Sequence, residues 1–172
     1  MEFNTVTEDD LLVGTSSDDS SESSNILDSL KKELKRAVRN APITLSIPGR
    51  PGMSITFDSN IEARTLQMWR KACNDKKLPD NFDGLKFSSI IIANQATEIH
   101  YNGELVVDKD GDILNFKNQK FLEMLDAARA VEGVGKLYGV DGHIFIAADE
   151  ILRAAGYDSE DQEQQSDPTL IS

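Results

Sequence analysis

Apolar positions recur along the middle of the chain with two different periods. Ile26, Leu27, Leu30, Leu34 and Val38 recur at helical spacing, with Lys31, Lys32, Lys35, Arg36 and Arg39 on the remaining faces, and Pro42 is expected to close that helix. Ile43, Leu45 and Ile47 then alternate with polar residues, as do Met53, Ile55 and Phe57. Between the two runs lies Pro48-Gly49-Arg50-Pro51-Gly52, so they read as a β-hairpin with one apolar face and an exposed, rigid tip. Ser59 and Glu62 have capping-box spacing and predict a helix through Trp69 to about Cys73. The dense run Leu85, Phe87, Ile90, Ile91, Ile92 fits a helix capped by Asp83 and ending near Ala96, with a strand through residues 88–93 as the alternative.

Asn102-Gly103, set between Ile99, Tyr101 and Leu105, Val107, is a strong hairpin signal. Asp110-Gly111 leads to Ile113, Leu114 and Phe116, which completes a meander of two or three strands. Asn118 caps a further helix carrying Phe121, Leu122 and Leu125, continuing to Leu137 with a break expected near Gly133 or Gly135, and Gly139 terminates it. A last helix holds Ile144, Ile146, Ala147, Ile151, Leu152 and Ala155 up to Gly156. The fold class expected is α+β: one small domain with a β-hairpin, a short β-meander and about four or five helices. The domain is expected over 25–157, between disordered acidic tails at 1–24 and 158–172.

Charge sharpens this division. The formal net charge of −12 comes wholly from the ends: residues 1–25 and 157–172 contain acidic residues and no Lys or Arg, while 26–156 balance at zero. A neutral middle lacks the excess of basic groups that displaces counterions from phosphates, so nucleic acid is not the expected partner. Acidic ends would keep a neutral domain soluble. No apolar run approaches the length of a membrane span, and Met1-Glu2-Phe3-Asn4 does not open a secretory signal. With Cys73 as the one cysteine, the expected compartment is a reducing cytoplasm.

Motifs that would carry chemistry fail on inspection. Asp108, Asp110 and Asp112 begin like a calcium loop, but its sixth and twelfth positions hold Ile113 and Gln119 in place of Gly and Glu. Gly133-Val134-Gly135-Lys136 lacks the other residues of a phosphate loop, with Ala130 and Leu137 standing where Gly and Ser or Thr belong. His100, His143 and Cys73 belong to no nucleophile motif. The expectation is a protein-binding module with no catalytic residues, cofactor or metal. Its partner-binding residues are expected on the basic helix (Lys31, Lys32, Lys35, Arg36, Arg39) and the hairpin (Arg50, Met53, Ile55).

Pro48-Gly49-Arg50-Pro51-Gly52-Met53-Ser54-Ile55, Trp69-Arg70-Lys71-Ala72, and Leu137-Tyr138-Gly139-Val140-Asp141-Gly142-His143 with Ala154-Ala155-Gly156-Tyr157 resemble the tail assembly proteins of long-tailed bacteriophages of actinobacteria. The resemblance spans roughly residues 40–157 and implies a tail assembly chaperone in the host cytoplasm. Such a protein binds the tape measure protein, helps recruit tail tube protein, and is absent from the finished particle. Self-association into a homo-oligomer is compatible with it. Two other readings stand beside it. One is a virion structural protein, a head–tail connector or minor tail protein. The other is a small nucleic-acid-associated regulatory protein using the basic helix.

Overall fold

The computed structural model describes residues 15–77 and 81–157, with side chains from residue 22 onward. The expected tails therefore lie largely outside the described residues. The chain divides into two compact units, Met1–Arg39 and Asn40–Ser172.

The first unit contributes helix α1 (Thr15–Leu34). Its bounds differ from expectation at both ends. No Gly or Pro interrupts residues 15–34, so the helix extends back into the Ser- and Asp-rich stretch. It stops eight residues before Pro42, with Lys31 and Lys32 in its last turn, where they complement the helix dipole. The second compact unit begins at Asn40, whereas the sequence reading starts the domain at residue 25.

The second unit is the α+β domain. Strands β1 (Ile43–Ser46), β2 (Met53–Phe57), β3 (Ala96–Tyr101) and β4 (Glu104–Leu105) form one antiparallel sheet in that order. The two hairpins expected from the sequence thus share a sheet, Ile55 lying between Leu45 and Ile99. Between β2 and β3 the chain makes α2 (Ala63–Ala72) and α3 (Gly84–Gln95), and after β4 come α4 (Gln119–Met124), α5 (Ala130–Tyr138) and α6 (Asp141–Ala154).

Burial explains the layering. Ile55, Phe57 and Ile99 share one cluster with Phe87, Ile91 and Ile92 of α3, Val134 and Leu137 of α5, and Ile144 and Ile151 of α6. The alternate strand positions are polar and form the opposite sheet face, Thr44 and Ser46 exposed and Ser54, Thr56, Glu98 and His100 half-buried. Helix α3 is apolar nearly all round because it lies against α2, α5 and α6. This settles residues 88–93 as helix, begun by the Asp83 carboxylate accepting from the Lys86 N–H at 2.9 Å.

The hairpin tips interlock. Asn102 and Gly103 both have positive φ, as their turn requires, and the Asn102 N–H donates to the Gly52 carbonyl at 2.8 Å. A Cβ on Gly52 would lie 2.2 Å from Asn102 Oδ1, and Gly52 also has φ +81°, so only glycine fits. After β4, Val107 bridges Ile113 and the Leu114 N–H donates to the Val106 carbonyl, so the third strand of the meander is reduced to an irregular edge.

One helix start and one break correct the sequence reading. The capping box does not form: α2 begins at Ala63 with Glu62 as its N-cap, making no side-chain cap bond. Ser59 instead lies fully buried in the segment before the helix, where Asn40 Nδ2 and Gln95 Nε2 bind the carbonyls of Ser59 and Asp58. Tertiary bonds to that backbone outweigh the local motif. Asn118 caps α4 as expected, its Oδ1 accepting from Lys120 and Phe121. The break before α5 falls at Asp126 (φ +53°), not at Gly133 or Gly135, which both sit inside α5.

Candidate functional site

The hairpin residues singled out by the sequence have structural partners. Arg50 leaves the β1–β2 turn and reaches the C-terminal end of α5, where Nε donates to the Leu137 carbonyl and Nη2 to that of Lys136 at 3.2 Å. It therefore supplies donors and positive charge to carbonyls that the helix leaves unpaired. Met53 is half-buried and packs on the core, and Ile55 is wholly buried in it. Ile55 is a core residue and presents no surface to a partner, because its strand position faces the helices. Arg50 and Met53 line a cleft of about 350 Å³ with Phe121, Met124, Leu125 and Leu137. Of the three, Arg50 and Met53 retain a place at the surface.

The basic residues are divided by the end of α1. Lys31 and Lys32 are helical, while Lys35, Arg36 and Arg39 follow it. Lys31 lies 3.8 Å from Asp28, and Arg36 is 2.8 Å from Glu33. Exposed pairs of this kind contribute little to stability, but they lower the positive potential of the cluster. Ile26, Leu27, Leu30 and Leu34 are all exposed, between 50% and 75%. Their spacing places them along one side of the helix.

A second polar array was not foreseen. On the open sheet face, Thr44 Oγ1 and Thr56 Oγ1 are 2.8 Å apart. His100 Nε2 is 3.3 Å from Thr56 Oγ1 and 3.1 Å from Glu98 Oε2. A hydroxyl, an imidazole and a carboxylate in one row resemble a nucleophilic triad in composition only. In a triad the carboxylate and the nucleophile use opposite ring nitrogens. Here both share Nε2, so the carboxylate cannot orient the ring toward the hydroxyl. The signal in sequence was the polar alternation of β1, β2 and β3; register alone brought the residues together.

The acidic turn has its own cation. Lys120 Nζ binds Asp108 Oδ2 at 3.0 Å and also Asp110, and Asp108 Oδ1 accepts the N–H groups of Asp110 and Asp112. These bonds hold the Asp108 carboxyl down at about 2 and raise Lys120. The turn borders a cleft of about 750 Å³, with Val107, Leu114, Glu123 and Met124. Among the described residues no group of three or more His, Cys, Asp or Glu is placed to hold a metal ion. Cys73 is buried in the core and burial pushes its thiol up, the reverse of what an activated nucleophile needs. Burial likewise pushes Tyr138 up to about 12.

No helix among the described residues is long and apolar enough to cross a membrane. Compared with known protein families, curated proteins and solved structures, the chain matches none.

Proposed function

We propose that this chain is a tail assembly chaperone: a non-catalytic protein that binds the tape measure protein of a long-tailed bacteriophage and aids assembly of the tail tube in the host cytoplasm. The observation that carries the reading is the exposed aliphatic stripe of α1, formed by Ile26, Leu27, Leu30 and Leu34. A helix gains most of its stability by burying its apolar side, and a single helix cannot cover its own. An amphipathic helix of this kind docks against another helix or a groove, through positions spaced three and four apart. A long helical tape measure offers such a counterpart. The local pairs Lys31–Asp28 and Arg36–Glu33 favour a protein partner over nucleic acid, since they partly neutralise the basic cluster.

Co-expression of the full chain with the tape measure protein tests the reading. The expected result is a soluble complex that migrates as one species on a sizing column. The double variant Leu30→Asp, Leu34→Asp is expected to weaken the complex at least tenfold while leaving the melting of the α+β domain unchanged. An insoluble tape measure with no comigrating chain would overturn it. Recovery of the chain from purified particles would favour a head–tail connector or minor tail protein instead. Salt-sensitive binding to nucleic acid would favour the regulatory reading.

A further inference from the structure

The edge of the sheet at β1 carries a self-complementary sequence. β1 and its flanks read Pro42-Ile43-Thr44-Leu45-Ser46-Ile47-Pro48, which is the same in either direction apart from the exchange of Thr for Ser. β1 pairs with β2 on one side, and no other strand among the described residues pairs with it. In an antiparallel pair, alternate residues direct their peptide groups to the neighbour and the rest direct them away. The Ile47 N–H donates to the Met53 carbonyl, so the odd-numbered residues 43, 45 and 47 face β2. The bond from the Asn102 N–H to the Gly52 carbonyl gives the same parity from the other side, with the even residues of β2 facing β3. The outward-facing positions at the β1 edge are therefore 42, 44, 46 and 48. Two of these are prolines and have no N–H to offer.

We infer that β1 pairs with β1 of a second copy of this chain, antiparallel about a twofold axis through Leu45. That register sets Thr44 opposite Ser46 of the second copy. Each such pair exchanges two backbone hydrogen bonds, and symmetry doubles them. Pro42 falls opposite Pro48 at both ends, so the ladder closes after those pairs and cannot slide by two residues without setting a proline against a peptide that needs a donor. On the helix side of the sheet, Leu45 meets Leu45 and Ile43 meets Ile47. Ile43 and Leu45 are half-buried at this edge, where they line an open groove of about 510 Å³ with Glu150, Arg153 and Ala154 of α6. Ile146, one turn before Glu150 on the same side of α6, is 64% exposed. This stripe holds an apolar side chain and both signs of charge, with Arg153 paired to Asp149 at 2.8 Å and to Glu150 at 3.5 Å within the chain. The product is a continuous eight-stranded sheet with an isologous interface. The inference rests on strand register and not on the chaperone reading.

Sedimentation of the full chain between micromolar and high micromolar concentration tests it, together with two variants. Ser46→Pro removes an outward N–H and no bond within the sheet, so the fold should persist while dimer dissociation rises at least tenfold. Leu45→Cys places thiols on the axis, where opposed Cα atoms about 4.5 Å apart are within disulfide range. It should form a covalent dimer on mild oxidation much faster than Thr44→Cys, and Cys73 is buried and does not compete. A chain that stays monomeric throughout overturns the inference. So does a dimer that Ser46→Pro leaves intact, or equal crosslinking at 44 and 45, either of which would place the contact elsewhere, for instance on α1.

Discussion

Gly133 and Gly135 lie two residues apart within α5, and their surroundings give them opposite roles. A Cβ at 133 would stand 2.9 Å from Leu122 Cδ2 and 3.4 to 3.5 Å from Phe116 and Leu125, whereas a Cβ at 135 meets nothing within 4 Å. Alanine in a helix is favoured over glycine by about 1 kcal/mol, so Gly135→Ala should stabilise the fold by up to that amount. At 133 the same gain is opposed by overpacking of about 1 to 3 kcal/mol, and Gly133→Ala should be net destabilising. Denaturant unfolding of both variants checks the pair, and the signs should differ. Asp108 offers a second test at this scale. Its carboxyl, held from 3.8 down to about 2 by Lys120, stabilises the folded state above about pH 4 and loses that effect as pH falls toward 2. Asp108→Asn keeps an acceptor for the turn but not the charge. Its melting temperature should lie below that of the parent near neutrality, and the two curves should converge between pH 4 and 2. Parallel curves would show that Lys120 does not sense the charge.

At the scale of elements, local signals were legible and long-range ones were not. The Pro-Gly-rich turn, Asn102-Gly103, the Asp83 and Asn118 caps and Gly139 each act on neighbours within a few residues, and each appears where the sequence placed it. Ser59-x-x-Glu62 has the same local form, yet its backbone is bound by Asn40 and Gln95 and lies outside the helix. The helix break at Asp126 falls in a stretch with no Gly or Pro, so no local turn signal marks it. Arg50 is the clearest case for the candidate site: its partners lie 86 and 87 residues away. Read alone it is an exposed cation at a hairpin tip; in the fold it caps α5. Arg50→Ala should therefore cost about 1 kcal/mol of stability, with Arg50→Lys recovering part of it. A variant as stable as the parent would return Arg50 to the surface as a free binding group.

At the scale of the whole molecule, no buried core residue among those described precedes Ile47, and none of the described partly buried side chains around it precedes Ile43. Residues 40–172 expressed alone should accordingly keep the circular dichroism and cooperative melting of the domain, while losing association through α1. Loss of cooperative melting in that fragment would show that the first unit takes part in the fold. The division of net charge between ends and middle was plain from composition. The joining of two hairpins into one sheet was not, because it depends on a pairing between β2 and β3 that the sequence separates by two helices.

That same separation sets a schedule for the growing chain. The β1–β2 hairpin is complete once residue 57 has been made, but the inner side of β2 waits for β3, about forty residues later. At about 5–20 residues per second, the wait is roughly two to eight seconds. Throughout it the nascent hairpin presents two bare edges, and the palindromic one is the better template for a hairpin on a neighbouring ribosome. Pro42 and Pro48, by shortening that template to Thr44 and Ser46, also limit how far such premature pairing can spread.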